Sequence, residues 1–199
     1  MLADPSPILI LASQSPRRKY LLEQAGLTFD VIPGDFDEAS VSLSDPHQYV
    51  TDLATGKAAN VATHYPDRWV IGADTIVFSE GHILGKPASE EDARNMLKLL
   101  SGRVHQVYTG YAFVCVSKGR TETDAVKTDV LFKDLSDTEI AWYIRTGEPF
   151  DKAGAYAIQG IGTFLVRRIN GSYTNVVGLP VCEVIEFLLK ECIVGFELA

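Results

Sequence analysis

The chain has 199 residues, 46% hydrophobic and 22% charged, which excludes disorder, collagen and coiled coil and provides enough apolar surface for a core without disulfide or metal staples. Its net charge is −8, from 18 basic and 26 acidic side chains, and the basic residues come singly or in pairs such as Arg17-Arg18 and Arg167-Arg168. Nucleic acid is therefore not an expected partner, and any phosphate must be held locally by a few aimed cations.

In chain order, Ile8 to Leu11 reads as a short buried strand. Ser15-Pro16 supplies an N-cap and a proline for the first turn of a helix that Gly26 stops. Phe29 to Pro33 reads as a second strand, Asp45 to Thr63 as a helix, and Trp69 to Phe78 as a long apolar strand. Glu80-Gly81 turns into a return strand at His82 to Leu84. Ser89-Glu90-Glu91-Asp92 opens a helix that ends near Gly102. Val104 to Val116 and Glu122 to Phe132 are strands around the turn Ser117 to Arg120. Ser136 caps a helix ending at Gly147, Thr163 to Ile169 is a strand closed by Asn170-Gly171, and Pro180 begins the last helix. β-α-β units mixed with hairpins predict an α/β fold with a mixed sheet.

The longest apolar run, Val181 to Val194, is broken by Glu183, Glu186, Lys190 and Glu191, so no membrane partner is expected. Cys115, Cys182 and Cys192 form no CxxC, and three buried thiols are expected, with Cys182 and Cys192 on one helix. The cytoplasm is the expected compartment, because Met1 to Pro7 lacks the features of a signal segment.

Chemistry concentrates in a few places. In Ala12 to Arg18 a strand enters a tight loop ahead of a helix. Helix N–H groups, Ser13, Ser15 and an arginine fork suit an anion there, and a plain helix cap is the other reading. Asp74 stands inside the apolar strand Trp69 to Phe78, where a carboxylate needs a lysine partner, a metal or a water to activate. Gly72 would let a ligand approach that strand. Lys57, Lys86 and Lys152 lie beside glycines or prolines, and Asp151 to Gly160 is small-residue-rich enough to hug a ligand. Asp37-Glu38 adds an acidic pair. The four histidines show no zinc spacing, and GxSxG, GxGxxG and GxxxxGK[ST] do not occur.

The chain resembles the Maf family of nucleoside triphosphate pyrophosphatases. The resemblance is carried by LASQSPRR (Leu11 to Arg18), GADTIV (Gly72 to Val77), GKP (Gly85 to Pro87), YTG (Tyr108 to Gly110), DKAGAYAIQG (Asp151 to Gly160) and GSY…VVGLP (Gly171 to Pro180). It implies a single domain over residues 1–199, with an elongated mixed sheet flanked by helices and two lobes around a cleft. It also implies hydrolysis of a nucleoside triphosphate substrate to the monophosphate and pyrophosphate with Mg²⁺ or Mn²⁺. By position, Asp74 is the implied catalytic base. Arg17, Thr75 and Gln159 are the implied specificity residues. Ser13, Ser15, Arg17, Lys57, Lys86 and Lys152 are implied phosphate contacts, and Glu38 and Asp74 implied metal-side carboxylates. Arginine after SxSP, threonine after the aspartate and glutamine in the AGAYxIQG loop match the branch acting on dTTP and UTP. The 7-methyl-GTP branch carries tryptophan, glutamine and glutamate there. A homodimer is the implied assembly. The alternative is a non-catalytic nucleotide-sensing regulator of cell division, against which the intact Asp74 and its surrounding cations argue.

Overall fold

A computed structural model describes residues 8–195. The strands are β1 (Leu9–Leu11), β2 (Asp30–Val31), β3 (Trp69–Ser79), β4 (His82–Leu84), β5 (Val104–Cys115), β6 (Arg120–Phe132) and β7 (Val166–Asn170). The helices are α1 (Pro16–Gln24), α2 (Pro46–Ala62), α3 (Glu90–Leu100), α4 (Asp137–Arg145), α5 (Tyr173–Val177) and α6 (Val181–Lys190). One seven-stranded sheet runs β2-β1-β3-β5-β6-β7, with β4 paired to β3. β1 is parallel to β2 and β3, while β3–β4 and β6–β7 are antiparallel, so the sheet is mixed. Among the described residues no helix is long and apolar enough to cross a membrane.

The chain divides into two compact units. The first takes the chain up to Asp74, Gly110–Ala125 and the chain from Gly178 on; the second takes Thr75–Thr109 and Val126–Val177. β3 passes from the first to the second between Asp74 and Thr75.

In the first unit, Ile10, Val70, Ala112 and Val114 of the strands pack on Ala54, Ala58, Val61 and Ala62 of α2. Two glycines seat that helix. A Cβ on Gly72 would strike the Ala54 carbonyl oxygen and the Ala58 nitrogen, and one on Gly110 the Val50 carbonyl. Gly72 therefore admits helix backbone, not a ligand as its place in the strand had led us to expect. Alternation puts the neighbours of Val70 and Ala112 on the opposite face. There Phe187 of α6 stacks on Phe113, ring centroids 4.0 Å apart, and meets Trp69 edge-on at 5.4 Å. Burying each such ring contributes about 1.5–3 kcal/mol.

In the second unit, Val77, Leu97, Leu100, Val107, Phe132, Ile140, Tyr143 and Tyr156 share one core. Ser136 and Glu139 close a reciprocal capping box at the start of α4.

Three expectations need correction. The strand expected at Thr163 to Ile169 begins only at Val166, after a 3₁₀ stretch over Gly160–Leu165. The Ile161 and Gly162 amides at the start of that stretch are taken by the Glu148 side chain. Helix α5 was not anticipated; Ser172 starts it by accepting from the Asn175 N–H at 3.2 Å. Only Cys115 is buried. Cys182 is exposed on the side of α6 that carries Glu186, and Cys192 is exposed beyond the end of that helix, at φ 54°.

Candidate active site

The residues singled out from sequence fall in both units. In the first, Asp74 lies two residues after Gly72, so its side chain leaves β3 on the α2 face. Lys57, next to Ala58 and about one turn after Ala54 on α2, donates to Asp74 Oδ1 at 2.6 Å. The same ammonium reaches Glu38 Oε1 at 2.8 Å. Glu38 is delivered by a 3₁₀ turn that Asp37 caps through the Ala39 N–H, after Phe36 has packed its ring on Gly56 of α2. Of the acidic pair, then, Asp37 shapes the loop and Glu38 meets the lysine. Asp74 and Lys57 are mostly buried, with side-chain exposures of 14% and 17%, whereas Glu38 stands at 59%.

The loop after β1 belongs to the same electrostatic neighbourhood. Ser13 accepts from the Ser15 N–H and from Arg18 Nη1, both at 3.2 Å. With its acceptor positions used, its O–H is the group left to donate. Ser15 caps α1 by accepting from the Arg18 N–H. Arg18 also donates Nε–H to the Gly178 carbonyl at 2.8 Å. Burial lowers the Arg18 pKa, the charges of Asp74 and Glu38 oppose that, and Arg17 adds to it. Burial, then the charges of Asp74 and Glu38, raise the Tyr49 hydroxyl. Sequence reasoning did not single out Tyr49; its signal is its place two turns before Lys57 on α2.

In the second unit, Thr75 Oγ1 is 2.9 Å from Thr109 Oγ1, which donates onward to the Asn175 carbonyl at 2.9 Å. Thr109 has one proton and spends it on Asn175, so Thr75 is the donor of the pair. The buried Asn175 amide donates to the Val107 carbonyl and to Thr128 Oγ1, fixing this shelf from behind. Lys152, 12% exposed at its side chain, donates to the Glu148 carbonyl at 2.7 Å and pairs with Asp151. Lys86 is exposed in the turn after β4, and the carbonyl of Gly85 in that turn accepts from the Gly154 N–H at 3.0 Å. Gln159 is half-buried at the start of the Gly160–Leu165 turn. Gly154 and Ala155 both have left-handed backbone, φ 67° and 60°, and the latter is strained for a residue with a Cβ. Glu148 and Asn175, like Tyr49, were not singled out from sequence; both act over long separations that local patterning does not reveal.

The donor set suits a hard divalent cation. Asp74 and Glu38 offer carboxylate oxygens converging on one positive group, the Lys57 ammonium. Among the described residues no group of three or more His, Cys, Asp or Glu could hold a metal. One or two carboxylates, completed by substrate phosphates and water, is the usual way a protein holds Mg²⁺.

A family model described as "Maf-like protein" matches residues 8–191. A protein of Geotalea uraniireducens is 53% identical over 92% of this chain and 94% of its own length. One of Syntrophus aciditrophicus is 51% identical over 90% of this chain and 88% of its own. Both are named dTTP/UTP pyrophosphatase. Among solved structures, the Ham1 protein of Staphylococcus aureus aligns over 92% of this chain and 98% of its own, with a TM-score of 0.52 and 14% identity, a likeness of fold alone.

Proposed function

The chain belongs to the Maf-like family, and from that membership we propose that it is a pyrophosphatase hydrolysing dTTP and UTP to the monophosphate and pyrophosphate. Its relatives of about half-identical sequence carry that activity in their names. The observation that carries the reading is the mostly buried Asp74 carboxylate on β3, held by Lys57 at 2.6 Å in the electrostatic neighbourhood of Arg18.

In this reading Asp74 orients a water and takes its proton as the oxygen attacks the α-phosphorus. The bond to the bridging oxygen breaks, and pyrophosphate departs with the electron pair. Lys57 holds the carboxylate in place and, with Arg17, Lys86 and Lys152, offsets phosphate charge, while Ser13 and Ser15 hydrogen-bond the phosphates. Mg²⁺ or Mn²⁺, held by Asp74 and Glu38, would supply further charge neutralisation when bound. Gln159, Thr75 and Arg17 select the base: the glutamine amide offers one donor and one acceptor, matching the O4 and N3–H of uracil and thymine. The homodimer belongs to this reading on the strength of the family resemblance, and the cytoplasmic location on the character of Met1 to Pro7.

The test is product analysis over a panel of nucleoside triphosphates with Mg²⁺, with Mn²⁺ and without metal. Pyrophosphate, metal dependence and a preference for UTP and dTTP are expected, and Asp74→Asn should lower turnover at least ~10²-fold. Stepwise orthophosphate release overturns the pyrophosphatase reading, and near-wild-type turnover in a folded Asp74→Asn protein removes Asp74 from the base role.

A further inference from the structure

Glu148 makes more specific contacts than a loop carboxylate needs. Its Oε1 accepts from the Tyr143 hydroxyl at 2.9 Å and from the Gly162 N–H at 2.8 Å, and its Oε2 from the Ile161 N–H at 2.9 Å. Its own carbonyl accepts from Lys152 Nζ at 2.7 Å. Tyr143 is fully buried in the core, and its oxygen also accepts from the Ala157 N–H at 3.3 Å. The segment from Ala157 to Gly162 is therefore pinned at both ends of Gln159 to a single carboxylate–phenol pair rooted in α4. Gly160 is packed so closely that a Cβ there would meet Glu148 Oε2 at 2.7 Å.

An amide side chain that must choose uracil over cytosine has to be prevented from flipping or drifting, since the flipped amide matches cytosine equally well. Backbone fixed on both sides of the residue supplies the constraint on drift, leaving the flip to whatever group faces the amide. We propose that Glu148, through Tyr143 and the Ile161 and Gly162 amides, is the positioning residue that sets base selection by Gln159. The inference rests on the dTTP/UTP reading given above.

Glu148→Gln removes one acceptor oxygen and turns an N–H₂ toward the Ile161 amide, while preserving size. Tyr143→Phe removes only the phenol link. The readout is kcat/KM for UTP divided by that for CTP, with the thermal midpoint followed in parallel. A misplaced recognition group can cost up to ~10²-fold, and Glu148→Gln is expected to reduce the UTP/CTP ratio about tenfold or more, chiefly through the KM for UTP. Tyr143→Phe is expected to reduce it in the same direction by a smaller factor, and it carries the test if Glu148→Gln does not fold. Lys152→Met, by contrast, should lower rates for every nucleotide and leave the ratio unchanged. Folded variants at Glu148 and Tyr143 that keep the wild-type ratio overturn the positioning role and leave the dTTP/UTP reading standing. A wild-type protein that does not distinguish UTP from CTP overturns both.

Discussion

Lowering the pH from about 7 to about 4 is expected to remove about 3 kcal/mol of folding stability through His105 alone. The ring is fully buried on β5, edge-on to Phe132 at 4.9 Å and to Tyr156 at 5.3 Å, with Nε2 at 2.7 Å from the Tyr156 hydroxyl. Among the described residues Nδ1 has no hydrogen-bond partner. A protonated ring would bring a charge and an unpaired N–H into this aromatic cluster, and burial pushes the pKa from 6.5 down to about 4. In the unfolded chain the same ring titrates near its ordinary value. Between the two values the unfolded state holds a proton that the native state lacks. Stability from this source is therefore complete above pH 6.5 and is lost as the pH falls toward 4. At about 1.4 kcal/mol per pH unit, the loss comes to about 3 kcal/mol. Urea unfolding at steps across that range, in the wild type and in His105→Phe, measures it. Phenylalanine keeps the ring contacts and cannot titrate, so the variant should start lower at neutral pH by about 1–3 kcal/mol and then show a flatter slope. His47, His64 and His82 are exposed and are present in both proteins. An equal slope in the two proteins refutes the assignment.

Gln159→Glu should cut the preference for UTP over CTP, because a carboxylate lacks the donor that O4 requires; side-by-side kcat/KM values check this, and an unchanged ratio removes Gln159 from base selection. Gly72→Ala should destabilise by at least about 1–3 kcal/mol, read from the denaturation midpoint, because its Cβ would strike α2 backbone that cannot rotate aside. Below about pH 4 a second loss should set in at Glu148. Burial works against its ionisation, but the Ile161, Gly162 and Tyr143 hydrogen bonds outweigh that and lower its pKa. Stability from Glu148 is thus present above the ordinary carboxylate range and lost as the pH falls through the folded value. Glu148→Gln should lack that acid phase.

What could be read from the sequence was whatever one segment specifies by itself. Ser15, Asp45, Ser89 and Ser136 each cap a helix within two or three residues of their own position, and β3 announces itself as a long apolar run. The stretch Gly160–Leu165 could not be read this way. Its turn depends on a carboxylate 13 residues before Ile161, and the strand expected from Thr163 was placed three residues early because nothing local marks where that turn ends.

The pairing of Lys57 with Asp74 lies between these cases. Seventeen residues separate them, yet the signal was present in the glycines beside each. Gly72 is two residues before Asp74 on the same face of β3, and Gly56 adjoins Lys57 on α2. On Gly72, missing side-chain volume lets the α2 backbone come close to the strand. Once a helix is that close, the next residue on the strand face and a long side chain on the facing turn have to meet. Taken as room for a ligand, Gly72 pointed to the wrong occupant. Taken as the contact point of a helix, it accounts for why a carboxylate can stand mostly buried in this strand: the approach that excludes water from Asp74 also brings it the ammonium that compensates its charge.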